Sequence, residues 1–110
     1  MEGGVASVAF ATGMAAIGSI LFSLLKQGDH VVSSAYLFGN TNSLFTTFGN
    51  LGIEVSFVDA TDVSNVEKAI TPKTRLVFVE TIANPVTQVA DLAKIGALCA
   101  AKRLVYVVDN

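Results

Sequence analysis

The hydrophobic pattern of the chain alternates between helical and strand-like segments. Apolar residues that recur every three or four positions indicate helices, and short apolar or alternating runs indicate strands. The predicted strands are 5–10, 30–33, 53–58, 76–79 and 104–108, and the predicted helices are 14–25, 40–48, 63–70 and 90–102. Strands and helices in this order favour right-handed crossovers and a mostly parallel sheet. The sequence therefore predicts a three-layer α/β fold with helices on both faces.

Two of these segments carry stronger expectations. Segment 14–25 has apolar residues on every side and no charge before Lys26, so its helix is expected to be central and buried nearly all round. Run 104–108 is continuously apolar, which is typical of a strand buried on both faces of a parallel sheet. Asp109 follows this run, where open α/β sheets bind ligands. Asp109 is therefore a candidate ligand-binding residue, unless it caps a following helix or pairs with a structural arginine.

The composition indicates more apolar surface than this chain can cover by itself. Of the 110 residues, 52% are hydrophobic and 15% are charged, which exceeds the apolar share of an ordinary domain of this size. The helix-then-strand unit 91–109 also stops at Asn110 without a turn. We therefore expect residues 1–110 to be an incomplete domain of a larger protein.

Charge and cysteine content exclude several classes of partner. The formal net charge is −2 and the basic residues are scattered, so neither nucleic acid nor an anionic membrane is a predicted partner. The chain start lacks a secretory pattern, and the apolar stretch 14–25 is too short to span a bilayer, which predicts a cytoplasmic protein. The single cysteine, Cys99, is predicted to be an inert buried thiol. No metal site is predicted.

A glycine at the first strand-to-helix turn is a candidate phosphate site. The N–H groups at a helix N-terminus lack intrahelical acceptors and lie at the positive end of the helix dipole. Gly13 has no side chain to keep an anion away from them. A tight, well-packed helix start is the alternative interpretation. Neither a P-loop nor a G-x-G-x-x-G pattern is present.

Polar side chains also follow the predicted strand 76–79. Glu80 stands at its end, and Pro85 restricts the preceding Asn84 to extended backbone. The result is either a rigid carboxylate and amide pair or a simple turn. Because the carboxyl ends of parallel strands meet at one edge, Thr12, Asn84 and Asp109 are predicted to be neighbours, close to the ends of the strands that finish at Phe10, Val79 and Val108.

Four short segments of the chain, taken in order, resemble one enzyme family. The segments A-T-G-M-A-A-I, L-F-G-N-T, V-E-T-I-A-N-P and V-V-D-N together resemble the Cys/Met-metabolism family of pyridoxal-phosphate-dependent enzymes, over essentially the whole chain. Segments 37–45 and 52–55 are most similar to the O-acetylhomoserine sulfhydrylases, with methionine γ-lyase and the cystathionine γ-synthase and β-lyase group as relatives. The resemblance implies part of the large cofactor-binding domain of a fold-type I enzyme, with pyridoxal phosphate as the cofactor.

The resemblance also implies roles for the candidate residues. The backbone N–H groups of Gly13 and Met14 would bind the cofactor phosphate. Asp109 would lie against the pyridine nitrogen, where a carboxylate favours the protonated ring. Asn84 would hydrogen-bond the ring hydroxyl, and Glu80 would support the loop that carries Asn84.

The sequence departs from the family pattern in two places. Many members have a tyrosine where Phe38 stands; Phe38 keeps a face for stacking on the cofactor ring but has no proton to give. Tyr36 offers a hydroxyl on the same side of the segment, in a different place. The lysine that binds the cofactor covalently lies beyond Asn110 in the family, so no catalytic residue is expected within this chain. His30 is interpreted as structural.

The resemblance implies γ-replacement on an O-acyl-homoserine with sulfide or a thiol, as in methionine and homocysteine biosynthesis. The implied protein is a homo-oligomer, a tetramer, whose subunits share active sites and act on a small amino-acid substrate. A γ-lyase of sulfur amino acids is the alternative within the family. Outside it, a phosphate- or nucleotide-binding module would show a richer glycine pattern, and a non-catalytic scaffold would not need four such motifs. Residues 1–110 alone are expected to be inactive.

Overall fold

The computed structural model describes residues 3–83 and 87–110, in which helices and strands alternate. The elements are α1 (Gly13–Leu24), β1 (His30–Ser34), α2 (Gly39–Asn50), β2 (Glu54–Val58), α3 (Val63–Ala69), β3 (Thr74–Glu80), α4 (Leu92–Lys102) and β4 (Val105–Asp109). The strands form one sheet in the order β2-β1-β3-β4, and each neighbouring pair is parallel. All carboxyl ends of the strands therefore lie at one edge of the sheet.

Successive residues of the strands face two separate cores, as a side-chain period of two requires. Val31 of β1 and Phe78 of β3 pack with α1 and α2, whereas Val32 and Val79 pack with α3 and α4. Helices thus cover both faces of the parallel sheet. The predicted three-layer α/β fold is confirmed.

The third and fourth strands differ in burial. β3 lies between two other strands, and all its residues except Arg75 are buried. β4 lies at the edge of the sheet, and Val105 and Val108 are 41% and 37% exposed. The expectation that 104–108 is buried on both faces is therefore wrong for this chain, because β3 is the only strand that pairs with β4 among the described residues.

The region before the sheet differs most from the sequence prediction. Segment 5–10 is not a strand; Val5 and Val8 are strongly exposed, and a β-prone composition forms a strand only where a partner accepts its backbone hydrogen bonds. α1 is also not buried all round, because only Ile17 and Leu21 are buried while Phe22 is 65% exposed. Within residues 3–83 and 87–110, no helix is long and apolar enough to cross a membrane.

Two local predictions agree with the structure. Asp62 caps α3, since its Oδ1 accepts a hydrogen bond from the Ser64 N–H at 2.9 Å. Cys99 is 1% exposed in the core under α4, and burial raises the pKa of its thiol. A thiol with a raised pKa is a poor nucleophile, which supports the interpretation of Cys99 as inert.

His30 links three strands near their amino ends, away from the edge at which the strands finish. The residue is 3% exposed, and its ring has Nδ1 2.7 Å from Thr74 Oγ1 of β3 and Nε2 2.9 Å from Ser56 Oγ of β2. Both ring nitrogens are thus used by neighbouring strands. These contacts support the structural interpretation of His30.

We expect the His30 imidazole to titrate below its ordinary value of 6.5, because burial lowers its pKa and outweighs the opposing effect of the Glu54 carboxylate. The unfolded chain then binds more protons than the folded one, so stability is lost as the pH falls from 6.5 through the folded-state pKa and is fully present above 6.5. Titration of the imidazole by NMR, assigned with His30→Gln, checks this. A measured pKa at or above 6.5 contradicts it.

Candidate functional site

A cavity of about 550 Å³ opens at the carboxyl ends of β3 and β4. We call it the strand-end cavity. It is lined by residues from the starts of two helices and the ends of two strands: Thr12, Gly13, Met14, Ile17, Phe38, Thr41, Glu80, Thr81, Ile82, Asp109 and Asn110. This is the edge at which open α/β sheets bind ligands.

The last residues of β3 and β4 are held together by their register. Glu80 and Asp109 are directly paired in the parallel ladder, so their side chains leave the sheet on the same face. The Thr81 N–H donates to the Asp109 carbonyl oxygen at 3.0 Å. The Thr81 hydroxyl donates to Asn110 Oδ1, also at 3.0 Å. Backbone pairing thus fixes where the exposed Asp109 carboxylate enters the cavity.

The N-terminus of α1 presents free N–H groups to the cavity. Thr12 is the N-cap, and its Oγ1 accepts from the Ala15 N–H at 3.1 Å. The N–H groups of Gly13 and Met14 belong to the first turn and have no intrahelical acceptor. A Cβ placed on Gly13 would meet no protein atom within 4 Å. The glycine therefore leaves open space beside these donors that no neighbouring side chain fills.

The N-terminus of α2 brings an aromatic ring to the same cavity. Phe38 is the N-cap of α2, makes no side-chain capping bond and is 51% exposed. Its backbone N–H donates to Oε1 of Glu80 at 2.8 Å. Glu80 is only 8% exposed. The carboxylate at the end of β3 thus serves the start of α2, a contact between residues far apart in the sequence.

Five of the six residues predicted to bind a cofactor line the strand-end cavity: Gly13, Met14, Phe38, Glu80 and Asp109. The sixth, Asn84, lies outside the described residues together with Pro85, and the prediction for that loop stays a prediction. Thr12 and Asp109, which were predicted to be neighbours of Asn84, both line the cavity.

The sequence analysis did not single out Thr41 or Thr81, which line the cavity. It considered Tyr36, which lies outside the cavity. Thr41 is 1% exposed and lies three residues after Phe38, so helical spacing from Phe38 was an available signal. Thr81 lies inside the V-E-T-I-A-N-P motif, but its bond to Asp109 depends on strand register. Tyr36 lines a separate cavity of about 10 Å³ behind Glu80, not the strand-end cavity.

Among the described residues, the strand-end cavity has neither a lysine nor a cluster of side chains that could hold a metal ion. No lysine lines the strand-end cavity in the described residues; Lys94, for example, lies 2.8 Å from Asp91 at the start of α4. No group of three or more His, Cys, Asp or Glu side chains within 3–83 and 87–110 could hold a metal ion.

The groups around the cavity suit one kind of ligand. Free N–H groups at a helix start bind an anion, an exposed aromatic face stacks on a flat ring, and a carboxylate binds a protonated nitrogen. These three features come from α1, the start of α2 and the end of β4. A flat, protonatable ring with an anionic group attached fits all three.

Comparison with known proteins gives matches along the whole chain. A sequence model of the family described as "Cys/Met metabolism PLP-dependent enzyme" matches residues 1–110. Canavanine gamma-lyase of Pseudomonas canavaninivorans is 42% identical, over 99% of this chain and 28% of that protein. The chain thus spans little more than a quarter of this relative. O-succinylhomoserine and O-acetyl-L-homoserine sulfhydrylases, cystathionine gamma-lyase and L-methionine gamma-lyase also match.

Solved structures resemble this chain in fold as well as in sequence. A structure of O-acetylhomoserine sulfhydrylase from Wolinella succinogenes superposes with a TM-score of 0.86 and 47% identity, over 90% of this chain and 28% of that one. A Campylobacter jejuni structure, with a TM-score of 0.85 and 36% identity over 91% of this chain and 24% of that one, contains N'-pyridoxyl-lysine-5'-monophosphate.

Proposed function

Since the chain belongs to the Cys/Met metabolism family of pyridoxal-phosphate-dependent enzymes, as the match over residues 1–110 shows, we propose that it forms part of the cofactor-binding domain of a longer enzyme. The observation that carries this proposal is the meeting of a helix N-terminus, an aromatic face and a carboxylate around one cavity of about 550 Å³. These three features fit the cofactor's phosphate, ring and pyridine nitrogen, in that order.

Pyridoxal phosphate, when bound, supplies an electron sink for negative charge that develops on an amino-acid substrate. The N–H groups of Gly13 and Met14 donate to its phosphate oxygens at the positive end of α1. Phe38 covers one face of the ring and keeps water from it. The Asp109 carboxylate holds a proton at the pyridine nitrogen. Asn84 would hydrogen-bond the ring hydroxyl, a role that rests on the family resemblance.

The reaction we propose for the whole enzyme is γ-replacement on an O-acyl-homoserine, in which sulfide or a thiol bonds to the γ-carbon and the acyloxy group leaves as a carboxylate. The 47% identity to an O-acetylhomoserine sulfhydrylase supports this reaction. The 42% identity to canavanine gamma-lyase favours elimination as the second candidate. We further propose a cytoplasmic homo-oligomer with active sites shared between subunits, in which exposed apolar side chains such as Phe22 are covered.

Product analysis separates the two reactions. The full-length enzyme is loaded with pyridoxal phosphate and given O-acetylhomoserine or O-succinylhomoserine, with and without sulfide. Replacement gives homocysteine and the free carboxylic acid only when sulfide is present. Elimination gives ammonia, a 2-oxo acid and the free carboxylic acid with or without sulfide, so ammonia and the 2-oxo acid are the products that would support the γ-lyase. Absence of both products, with no binding of the cofactor, would overturn the assignment of the cavity.

Gly13→Ala tests the proposed phosphate contact. The added methyl group meets no protein atom within 4 Å, so the fold should be unchanged, but it occupies space beside the N–H donors. Loss of one hydrogen bond to a charged group weakens affinity about 10-fold or more. The dissociation constant for pyridoxal phosphate, measured by absorbance titration of the full-length enzyme, checks this.

The matched control is Gly49→Ala near the end of α2, where a Cβ also meets nothing within 4 Å. This variant should bind the cofactor with parental affinity. Equal affinity of the Gly13→Ala and Gly49→Ala variants would show that Gly13 is simply a helix start.

A further inference from the structure

We infer that Glu80 is a positioning residue that holds the Phe38 ring at the cofactor site through the Phe38 backbone; this inference rests on the proposed function. Oε1 of Glu80 accepts from the Phe38 N–H at 2.8 Å. Both residues line the strand-end cavity, but only Phe38 offers a flat face to a ring. Glu80 therefore acts on the cofactor through Phe38.

In a capping box, a glutamate at the third helical position binds the N–H of the N-cap residue; α2 has Thr41 at that position, and Glu80 binds the Phe38 N–H instead. Phenylalanine has no side-chain acceptor, and Phe38 makes no side-chain capping bond. A carboxylate beside the first turn of a helix is stabilised by the helix dipole. Glu80 supplies this carboxylate from another element, across a gap of 42 residues in the sequence.

Hydrogen bonds hold the Phe38 residue on both sides. Its N–H is bound by Glu80, and its carbonyl oxygen accepts from the N–H groups of Thr41 and Asn42 at 2.9 and 3.2 Å. The side chain itself is 51% exposed, so the surrounding protein packs against only part of the ring. The backbone bonds therefore set the direction in which the ring projects.

Glu80 is a rigid support for this purpose. It is the last residue of β3, which pairs with strands on both sides, and it is 8% exposed. Its ladder partner is Asp109. The same end of the sheet thus places the carboxylate that enters the cavity and the carboxylate that holds the aromatic face.

The test compares two substitutions in the full-length enzyme. Glu80→Gln keeps an oxygen that accepts the Phe38 N–H, so cofactor affinity should stay within about 3-fold of the parent. Glu80→Leu has a similar size but no acceptor, and we expect about 10-fold weaker binding of pyridoxal phosphate, as for a lost hydrogen bond to a charged group. Circular dichroism of the bound cofactor should also change in Glu80→Leu, because it reports the setting of the ring.

A double-mutant cycle separates positioning from general stability. If Glu80 acts through the ring, Glu80→Leu should not weaken cofactor binding further in a Phe38→Ala background. Phe38→Tyr keeps the ring face and should leave the effect of Glu80→Leu intact. Glu54→Gln and Glu54→Leu are the controls, because Glu54 is an exposed strand glutamate at the amino end of β2, paired with Lys73.

The outcomes separate this inference from the proposed function. Parental affinity in Glu80→Leu, or additive losses with Phe38→Ala, would overturn the positioning role while the cofactor site stands. A parent enzyme that binds no pyridoxal phosphate would overturn the proposed function and this inference with it. If Glu80→Leu does not fold, Glu80→Thr takes its place, since a threonine hydroxyl is too short to reach the Phe38 N–H.

Discussion

Replacing Asp109 by asparagine in the full-length enzyme should lower turnover by about 100-fold or more, in the range found when one preorganised electrostatic group is removed. Asparagine keeps the size of the side chain and still forms a hydrogen bond, but it removes the charge that favours a proton at the pyridine nitrogen. The loss should fall on kcat more than on cofactor affinity, since the phosphate and ring contacts remain. Steady-state kinetics together with cofactor titration check this.

Two further variants sharpen the Asp109 result. Asp109→Glu should also be poor, because one added methylene moves the carboxylate by roughly 1 Å and positioned groups do not tolerate such a shift. Asp59→Asn is the control, since Asp59 follows β2 at the same edge of the sheet but accepts hydrogen bonds from Thr61 and does not line the strand-end cavity. Turnover near the parental rate in Asp109→Asn would make Asp109 a structural residue.

Phe78→Ala should destabilise the protein by about 3–5 kcal/mol, the usual cost of removing a fully buried aromatic side chain. Phe78 is 0% exposed on the central strand β3. Its ring meets that of Phe45 edge-on at 5.3 Å between centroids. It lies two residues before Glu80 on the same face of the strand, so the cavity it leaves should also loosen the cofactor site.

The control for this prediction is Phe57→Ala on β2. Phe57 is 43% exposed and also meets Phe45 edge-on, at 6.1 Å. Its loss should cost about 1 kcal/mol, since less surface returns to water and one aromatic pair is lost. Denaturant unfolding of both variants gives the two free energies. Similar values for Phe78→Ala and Phe57→Ala would contradict the central place of Phe78 in the core.

Local pattern was enough for the elements whose partners are close in the chain. The continuous apolar run at 76–79 correctly predicted the buried β3, and Asp62 correctly predicted the start of α3. Segment 5–10 has an equally strand-like composition but no partner strand within residues 3–83 and 87–110, and the edge place of β4 depends on what lies beside it. Hydrophobicity measures what a segment can bury, not what is present to cover it.

The residues of the site also divide into those that a local feature predicts and those that depend on pairing between distant segments. Gly13 and Asp109 could be identified because a helix start and a strand end are local features that carry their own chemistry. The hydrogen bond from Phe38 to Glu80 joins the start of α2 to the end of β3, and it follows from sheet order and register rather than from any short motif. Periodicity gives no information on such pairings.

The positions of Gly13 and Asp109 have a consequence for biosynthesis. Gly13 lies at the start of the first helix and Asp109 at the end of the last strand, so nearly the whole described chain must be synthesised before both can line one cavity. Contacts this distant in sequence form late, after loops between them have closed. A ligand that needs both groups stabilises only chains that have paired β4 with β3. Capture of the cofactor by both groups would then require a newly made chain in which β4 has already paired with β3.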